Sequence, residues 1–211
     1  FDAGGFFRPG SGQYEDAAYQ ERMLRWFEMA TLCPLQRVHG YQTNTEFWRY
    51  GEKVERDALR YLNLRYRLMP YIYSQAAEIT FKNGTLMRPL VMDFSNDRQA
   101  LSQNDEYMFG RAFLVAPVLE AGVSTWKVYL PENKAGWFDF WTGNHVDGGQ
   151  TVAAKAPISI IPLYVRGGCI VPMGQKMEYT GQTKNDTIEL RIYKGADAGY
   201  SLYEDEGTNY N

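Results

Sequence analysis

The chain has 211 residues, with 22 lysines and arginines against 25 aspartates and glutamates, and therefore a formal net charge of −3. Domains average about 100 to 200 residues, so this length fits one or two of them. A hydrophobic fraction of 45% suffices for a packed core and excludes a wholly disordered chain. The slightly acidic charge, with no basic stretch, argues against nucleic acid as a partner.

No stretch of the sequence approaches the roughly 18 consecutive apolar residues that cross a bilayer, so a membrane partner is not expected. The chain begins at Phe1, without an initiator methionine and without the basic and apolar regions of a signal sequence. We therefore expect a piece of a longer polypeptide whose N-terminal part precedes Phe1.

The two cysteines, Cys33 and Cys169, lie in apolar stretches, and the two histidines, His39 and His145, are distant from each other along the chain. Two cysteines do not build a disulfide framework, so we expect two buried free thiols. The spacing is also unlike that of a structural zinc site, and no metal site is expected.

Helical spacing of apolar side chains predicts an amphipathic helix from Tyr14 to Thr31. The run LCPLQRVHG that follows, at 32–40, is too short for a helix and predicts a buried strand that ends in a polar loop. A second helical repeat predicts a helix from about Glu52 to Lys82. Pro70 should kink or divide it, because proline lacks the amide donor and clashes with the preceding turn.

Beyond Gly84 the helical period disappears, and short β-rich segments alternate with turn residues. The predicted strands are 87–94, 112–119, 125–131, 136–143, 151–157, 161–173, 187–193 and 200–205. Strands at this spacing predict an antiparallel β-sandwich. The first 83 residues, by contrast, follow a loop, helix, strand, loop, helix order. This order is typical of the last part of a (β/α)8 TIM barrel, which needs about 200 to 250 residues when complete.

The active site of such a barrel is built by the loops at the C-terminal ends of its strands. The segments FDAGGFFRPG and QRVHGYQTNTEFWRYG are predicted to occupy such ends. Asp2 precedes two glycines that allow a sharp turn; it is an active-site carboxylate, the partner of a neighbouring arginine or histidine, or the cap of that turn. Arg37 and His39 alternate along the strand and project to one face, where a histidine can donate a hydrogen bond to a substrate hydroxyl; a structural histidine is the alternative.

Aromatic residues follow His39 at four nearby positions, Tyr41, Phe47, Trp48 and Tyr50. Aromatic faces stack on the apolar faces of sugar rings, so carbohydrate binding is one interpretation of this cluster. Ordinary core packing is the other.

Five segments, taken together and in order, resemble glycoside hydrolase family 31, which contains α-glucosidases and α-xylosidases. They are FDAGGF, PLQRVHGYQTNTEFWRYGE, LRYRLMPYIYSQA, MRPLVMDF and YMFGRAFLVAPVL. The resemblance covers nearly the whole chain. It implies the C-terminal segment of the catalytic barrel at 1–83, a proximal C-terminal β-sandwich at 84–175 and the start of a distal one at 176–211.

The resemblance also implies a mechanism. Members of the family hydrolyse glycosides with retention of configuration through a nucleophilic carboxylate and an acid/base carboxylate, and this chemistry needs no cofactor. Both residues lie upstream of the segment that matches FDAGGF, so we expect no catalytic carboxylate in this chain. His39 matches a family histidine that hydrogen-bonds the sugar in the −1 subsite. Asp2 and Arg37 match its polar support, and Phe6 and Trp48 are weaker candidates for shaping the pocket.

The form RVHGYQTNTEFWRYG, with FFRP after the glycines, looks most like α-xylosidases that act on xylosyl side chains of xyloglucan-type oligosaccharides. An α-glucosidase is the alternative, because the residues that admit or exclude the glucose hydroxymethyl group lie mostly upstream. A third hypothesis, from another class, is a non-catalytic carbohydrate-binding β-sandwich. The implied partners are an oligosaccharide and the N-terminal barrel portion of the same polypeptide.

Overall fold

The computed structural model describes residues 1–182 and 187–208. Helices occupy its first part: α1 (Ala17–Thr31), α2 (Glu52–Arg67), α3 (Met69–Lys82) and the single turn α4 (Leu90–Asp93). Shorter 3-10 turns lie at Ser11–Tyr14, Phe47–Tyr50 and Ala100–Ser102. None of the helices in these residues combines the length and the apolar character required to cross a bilayer.

Strands occupy the second part. They are β1 (Met87–Pro89), β2 (Tyr107–Phe109), β3 (Phe113–Val115), β4 (Thr125–Leu130), β5 (Trp137–Asp139), β6 (His145–Val146), β7 (Gln150–Lys155), β8 (Leu163–Arg166), β9 (Cys169–Met173) and β10 (Glu189–Tyr193). An antiparallel sheet has the order β1-β2-β3-β8-β5-β6, and β4-β7 and β9-β10 form two further antiparallel ribbons.

The six-stranded sheet is covered on both faces, because alternate side chains of a strand point to opposite sides. On one face, Met108, Leu114 and Trp137 pack with Val128 and Leu130 of the β4-β7 ribbon in one buried cluster. This sheet-on-ribbon packing confirms the predicted antiparallel β-sandwich.

The opposite face of the same sheet packs against the helices. Phe109, Phe113 and Val165 belong to a second buried cluster that includes Phe27 of α1 and Tyr61 of α2. Helices and sheet therefore share one hydrophobic core, which fixes the loops of the first part of the chain relative to the sandwich.

The predicted helices are confirmed with sharper ends. Asp16 caps α1, since its Oδ1 accepts hydrogen bonds from the backbone N–H of Ala18 at 2.9 Å and of Tyr19 at 3.3 Å. The long predicted helix divides into α2 and α3 because Pro70 lies in the first turn of α3, where a missing N–H costs nothing. Asn83, with φ 54°, ends α3 in the left-handed conformation.

The predicted buried strand at 32–40 is wrong. The segment leaves α1 through a turn and bends and continues without regular secondary structure, and Leu35 is 64% exposed. The N–H of Ala3 donates to the carbonyl of Arg37 at 3.2 Å, but a single backbone bond does not make a strand ladder. Exposure still alternates as expected, since Arg37 and His39 are exposed and Val38 between them is half-buried.

The predicted strand at 87–94 is also wrong in its second half, which forms α4. Arg88 Nε lies 2.6 Å from Asp93 Oδ1, and Arg88 Nη2 lies 3.0 Å from Asp93 Oδ2. A continuous strand rises about 3.3 Å per residue and would hold these two side chains far apart. The helical turn brings them together.

Among the other predicted strands, 161–173 divides into β8 and β9, because Gly168, with φ 77°, turns the chain. The segment 200–205 is irregular, and β2 and β6 were not predicted as strands. The predicted distal segment 176–211 contains 183–186 and 209–211, which lie outside the described residues. Its described strand, β10, pairs with β9 along its whole length.

Cys33 and Cys169 are both free thiols. Cys33 is buried as predicted, whereas Cys169 is only half-buried. Burial raises the pKa of each thiol, so both stay protonated near neutral pH.

Candidate active site

The first loop of the chain and the loop that follows α1 lie side by side. Ala3 N–H donates to the carbonyl of Arg37 at 3.2 Å, and Tyr41 N–H donates to the carbonyl of Phe6 at 2.8 Å. These two bonds fix the position of one loop against the other. The two segments predicted to end at the same rim of a barrel therefore meet.

Asp2 and Arg37 form an ion pair between these loops. Arg37 Nε donates to Asp2 Oδ1 at 2.7 Å, with the Arg37 side chain half exposed and that of Asp2 23% exposed. The backbone carbonyl of Asp2 also accepts from Gly5 N–H at 2.8 Å, which closes a turn. The side chain of Asp2 is thus the partner of a neighbouring arginine, while its backbone makes the turn.

His39 is exposed, and the ring of Phe6 lies against it at a centroid distance of 5.4 Å. Phe6 is itself 37% exposed and also contacts Tyr41 at 5.8 Å. An imidazole can donate to a sugar hydroxyl, and an aromatic face can stack on the apolar face of the ring. Both groups are accessible here on one side of the molecule.

Trp48 is placed differently from the other four predicted site residues. Asp2 pairs with Arg37 and Phe6 contacts His39, whereas Trp48 takes part in neither contact. It lies in the 3-10 turn Phe47–Tyr50 with a side chain that is 66% exposed.

The aromatic cluster after His39 divides between the two interpretations. Phe47 packs on Phe27 at 4.5 Å, and Tyr50 is 2% exposed, so both belong to the core. Tyr41 and Trp48 are exposed and available to a ligand.

Arg8 organises the site and was not predicted from the sequence. Its Nε donates to the Gly5 carbonyl at 3.1 Å, and its Nη1 donates to the Tyr50 hydroxyl at 2.9 Å. Its Nη2 donates to the carbonyls of Ala3 at 3.1 Å and His39 at 3.3 Å. One guanidinium therefore ties the backbone of both loops together directly behind His39. Two of the four partners, Tyr50 and His39, are 42 and 31 positions away in the sequence, so no local pattern could reveal them.

Two glycines allow this close packing. A side chain at Gly4, which has φ 84°, would overlap the Met23 sulfur, and the Tyr19 hydroxyl donates to the Gly4 carbonyl at 2.7 Å. Burial is the main cause that raises the pKa of Tyr19, which keeps this hydroxyl a donor. A Cβ at Gly40 would lie 2.6 Å from Arg8 Nε.

Asp2 is the one carboxylate among the five predicted site residues, and it is already paired with Arg37. Their side chains supply hydrogen-bonding groups and aromatic rings but no second carboxylate. Within residues 1–182 and 187–208, no group of three or more His, Cys, Asp or Glu side chains is arranged to hold a metal ion.

Comparison with known families gives two matches, in chain order. Residues 1–75 match the TIM-barrel domain of glycosyl hydrolases family 31, and residues 83–171 match the C-terminal domain of glycosyl hydrolase family 31. The boundary between the two matches falls at the end of α3, where the helical part of the chain gives way to strands.

Curated relatives and solved structures agree. The chain is 42% identical to an alpha-xylosidase of Saccharolobus solfataricus, over 99% of this chain and 28% of the relative. It is 30% identical to alpha-glucosidase 2 of Bacillus thermoamyloliquefaciens, over 98% of this chain and 26% of the relative. A GH31 alpha-xylosidase structure from Xanthomonas citri superposes with a TM-score of 0.91 at 40% identity, over 98% of this chain and 23% of that one.

The chain thus spans about a quarter of the length of the relatives it matches. Three observations indicate the same family across that span. They are the β-sandwich that follows the end of a barrel, the order of the two domain matches, and the identity to the relatives. The chain belongs to glycosyl hydrolase family 31, with part of the family's TIM-barrel domain followed by its C-terminal domain.

Proposed function

We propose that the polypeptide carrying this chain is a retaining, exo-acting α-glycosidase that releases terminal α-xylosyl residues from oligosaccharides of the xyloglucan type. The observation that carries this proposal is the exposed His39 with the Phe6 ring against it, two residues after Arg37, whose guanidinium pairs with Asp2. The 42% identity to an alpha-xylosidase over almost the whole chain supports the choice of sugar.

In this proposal the chain supplies one wall of the terminal-sugar site. His39 donates to a hydroxyl of the sugar, and the Asp2–Arg37 pair presents further polar groups beside it. Phe6 offers an apolar ring surface. Arg8 holds the backbone of His39 and so keeps the imidazole in place when the site is empty.

Hydrolysis itself requires two carboxylates, which we assign to the N-terminal barrel portion of the same polypeptide. One attacks the anomeric carbon to form a glycosyl-enzyme, while the other protonates the leaving oxygen and then activates water. This reaction needs no cofactor. In the proposed organisation, 1–83 completes the barrel, 84–175 forms the proximal sandwich and 176–211 begins a distal one.

An α-glucosidase is the second candidate, and the 30% identity to alpha-glucosidase 2 favours it. A non-catalytic carbohydrate-binding module is the third, since the residues described above bind sugar in all three cases. The first two differ in the sugar released, and the third differs in releasing none.

The test compares para-nitrophenyl α-xyloside with para-nitrophenyl α-glucoside as substrates of the full-length polypeptide. We expect preference for the xyloside; preference for the glucoside selects the second candidate, and binding without hydrolysis selects the third.

His39→Ala should lower kcat/KM at least about tenfold, the effect of losing one hydrogen bond of about 1.5 kcal/mol. His145→Ala, which changes the other histidine, is the matched control and should leave kcat/KM unchanged. Unchanged kinetics in His39→Ala would reject His39 as a sugar ligand.

A further inference from the structure

Hydrogen bonds connect the backbone of His39, through three other side chains, to a residue further along the same loop. Arg8 Nη2 donates to the His39 carbonyl at 3.3 Å, and Arg8 Nη1 donates to the Tyr50 hydroxyl at 2.9 Å. The Tyr50 hydroxyl donates to Gln13 Oε1 at 3.3 Å, and Gln13 Nε2 donates to Thr43 Oγ1 at 2.6 Å. These bonds form one network, the Arg8 network, which starts at His39 and ends at Thr43, four positions later in the sequence.

The middle of the Arg8 network is shielded from solvent. Tyr50 is 2% exposed and Gln13 is 1% exposed. The centroid of the Tyr50 ring lies 5.0 Å from that of Tyr14 and 6.4 Å from that of Tyr19. Gln20 Nε2 donates to the Tyr50 carbonyl at 3.2 Å. Since the ring and the backbone of Tyr50 are both held, its hydroxyl has a fixed position.

The Tyr50 hydroxyl joins the two halves of the network because it both accepts and donates a hydrogen bond. It accepts from Arg8 and donates to Gln13. Burial is the main cause that raises the pKa of Tyr50, so the hydroxyl retains the proton that it donates. A phenylalanine at this position would leave an N–H of Arg8 and the buried oxygen of Gln13 without partners. Buried polar groups without partners are costly, so we expect the guanidinium and the amide to move toward new ones.

A movement of these two groups reaches the loop of His39 from both ends. Arg8 holds the His39 carbonyl, and Gln13 holds the Thr43 side chain. Among the residues that the structure describes, the imidazole contacts the exposed ring of Phe6 and makes no hydrogen bond of its own. Its position therefore depends on the backbone of the loop. A misplacement of about 1 Å can lower a catalytic rate about 100-fold, so even a smaller shift of the imidazole is measurable.

We propose that Tyr50 is a positioning residue for His39. Its hydroxyl joins Arg8 to Gln13 and thereby holds the loop from His39 to Thr43 in the arrangement in which the imidazole reaches a sugar hydroxyl. Tyr50 is itself buried and does not touch the ligand. The assignment rests on the proposed function, because it takes His39 to be a sugar ligand.

The test is a double-mutant cycle in the full-length polypeptide, measured as kcat/KM for the para-nitrophenyl glycoside that it prefers. Tyr50→Phe removes the hydroxyl and keeps the buried ring. We expect it to lower kcat/KM about tenfold when His39 is present and less than about twofold in a His39→Ala background, because the group that it positions is then absent. A purely structural role of Tyr50 would lower kcat/KM by the same factor in both backgrounds.

Thr43→Val tests the other end of the network at a half-buried residue. Valine has nearly the same shape as threonine, but it cannot accept the hydrogen bond from Gln13 Nε2. We expect kcat/KM to fall about threefold, again only when His39 is present. Thr43→Ser keeps the hydroxyl and should keep kcat/KM near the wild-type value. If Tyr50→Phe does not fold, this pair of variants decides the proposal, and an unchanged kcat/KM in Thr43→Val overturns it.

Tyr71→Phe is the matched control for Tyr50→Phe. Tyr71 of α3 is fully buried, and its hydroxyl also acts in both roles. It accepts from Ala112 N–H at 3.1 Å and donates to the carbonyl of Phe109 at 2.9 Å. Since these partners belong to the sheet and not to the loops around His39, the loss of this hydroxyl should lower the melting temperature and leave kcat/KM unchanged.

The outcomes separate this proposal from the proposed function. Equal losses in the two backgrounds, or no loss from Tyr50→Phe, overturn the role of Tyr50 and leave the α-glycosidase intact. Unchanged kinetics in His39→Ala overturn the roles of both His39 and Tyr50. If the wild-type polypeptide hydrolyses neither para-nitrophenyl glycoside, the proposed function fails, and calorimetric titration with xylose decides the positioning role. Weaker binding by Tyr50→Phe only when His39 is present supports this role, and equal binding or none overturns it.

Discussion

Arg37 Nε lies 2.7 Å from Asp2 Oδ1, although the two residues are 35 positions apart in the sequence. Both side chains are partly exposed, and exposed pairs of this kind contribute only about 0 to 1 kcal/mol to stability. Because Arg37 lies two residues before His39, we attribute the pair to the proposed sugar site rather than to folding.

Arg37→Met should accordingly lower kcat/KM for the terminal glycoside at least about tenfold while it changes the free energy of unfolding by less than about 1 kcal/mol. Arg56→Met is the matched control, since Arg56 is exposed and its Nε lies 3.9 Å from Asp57 Oδ1 on α2. Steady-state kinetics and denaturant unfolding of the full-length variants measure both quantities. A loss of stability without a kinetic effect would make the ion pair purely structural.

Gly40 is a steric requirement of the Arg8 network. A Cβ at this position would lie 2.6 Å from Arg8 Nε and 2.5 Å from Thr43 Cγ2, and Arg8 is tied by its hydrogen bonds and cannot withdraw freely. We expect Gly40→Ala to destabilise the protein by about 1 to 3 kcal/mol, the usual cost of overpacking, and to lower activity because His39 shifts with Arg8.

Gly12 provides the control for that substitution. It lies in the 3-10 turn Ser11–Tyr14 of the first loop, and a Cβ there would meet no atom within 4 Å. Gly12→Ala should keep both the melting temperature and kcat/KM. Equal tolerance of the two alanines would show that the backbone around Arg8 relaxes at little cost.

The sequence predicts those features that depend on local physics. The division between α2 and α3 follows from Pro70, because its ring and its missing N–H interrupt a helix whatever the surrounding structure. The predicted alternation is kept although the segment is not a strand, since Arg37 and His39 are exposed on either side of the half-buried Val38.

Features that depend on distant partners could not be predicted. A strand at 32–40 needs a neighbouring strand, and the described chain offers the segment one backbone bond from Ala3. The helical turn α4 ends at Asp93, which accepts a hydrogen bond from Arg166 Nη2 at 3.0 Å across 73 positions of sequence, and an apolar run of that length does not by itself distinguish helix from strand. No sequence motif marks Arg8, because its role depends on hydrogen-bond partners such as Tyr50, which is 42 positions away in the sequence.

Arg25 fastens α1 to the sandwich. It is 8% exposed, and its guanidinium donates to the carbonyls of Val123 at 3.1 Å, Ala156 at 2.8 Å and Pro157 at 3.2 Å. Arg25→Met would fill the space but leave these three carbonyls without their donors. We expect a loss of about 2 to 4 kcal/mol in the free energy of unfolding, because each bond has a charged donor.

Arg22→Met is the matched control for Arg25→Met, as Arg22 is an exposed arginine on the same helix. Thermal unfolding of the full-length variants gives the comparison. Hydrogen exchange adds a local reading: the segments around Val123 and Ala156 should lose protection in Arg25→Met only. Unchanged exchange there would mean that other contacts hold α1 against the sandwich.

Glu106 makes the stability of the sandwich depend on pH. The residue is 5% exposed; its Oε1 accepts from Tyr129 N–H at 2.7 Å, and its Oε2 has no hydrogen-bond partner among the described residues. Burial raises the pKa of this carboxyl to about 8, against the smaller lowering effect of the Tyr129 N–H, and the nearby Asp105 adds to the rise. The folded protein therefore holds a proton on Glu106 that the unfolded chain releases near about pH 4.3.

The sign of the effect follows from this difference. Between about pH 4.3 and pH 8 the unfolded chain binds fewer protons than the folded one, so stability falls as the pH rises and levels off above the folded pKa. Glu106→Gln keeps an oxygen acceptor for Tyr129 and cannot ionise. It should therefore gain stability over the wild type as the pH rises, by a few kcal/mol at about pH 8 and little at about pH 4.

Melting temperatures across this pH range measure the gain in stability, with the exposed Glu120→Gln as the control variant. Parallel curves for wild type and Glu106→Gln would show that the carboxyl is ionised throughout, and that water or a neighbouring group reaches Oε2.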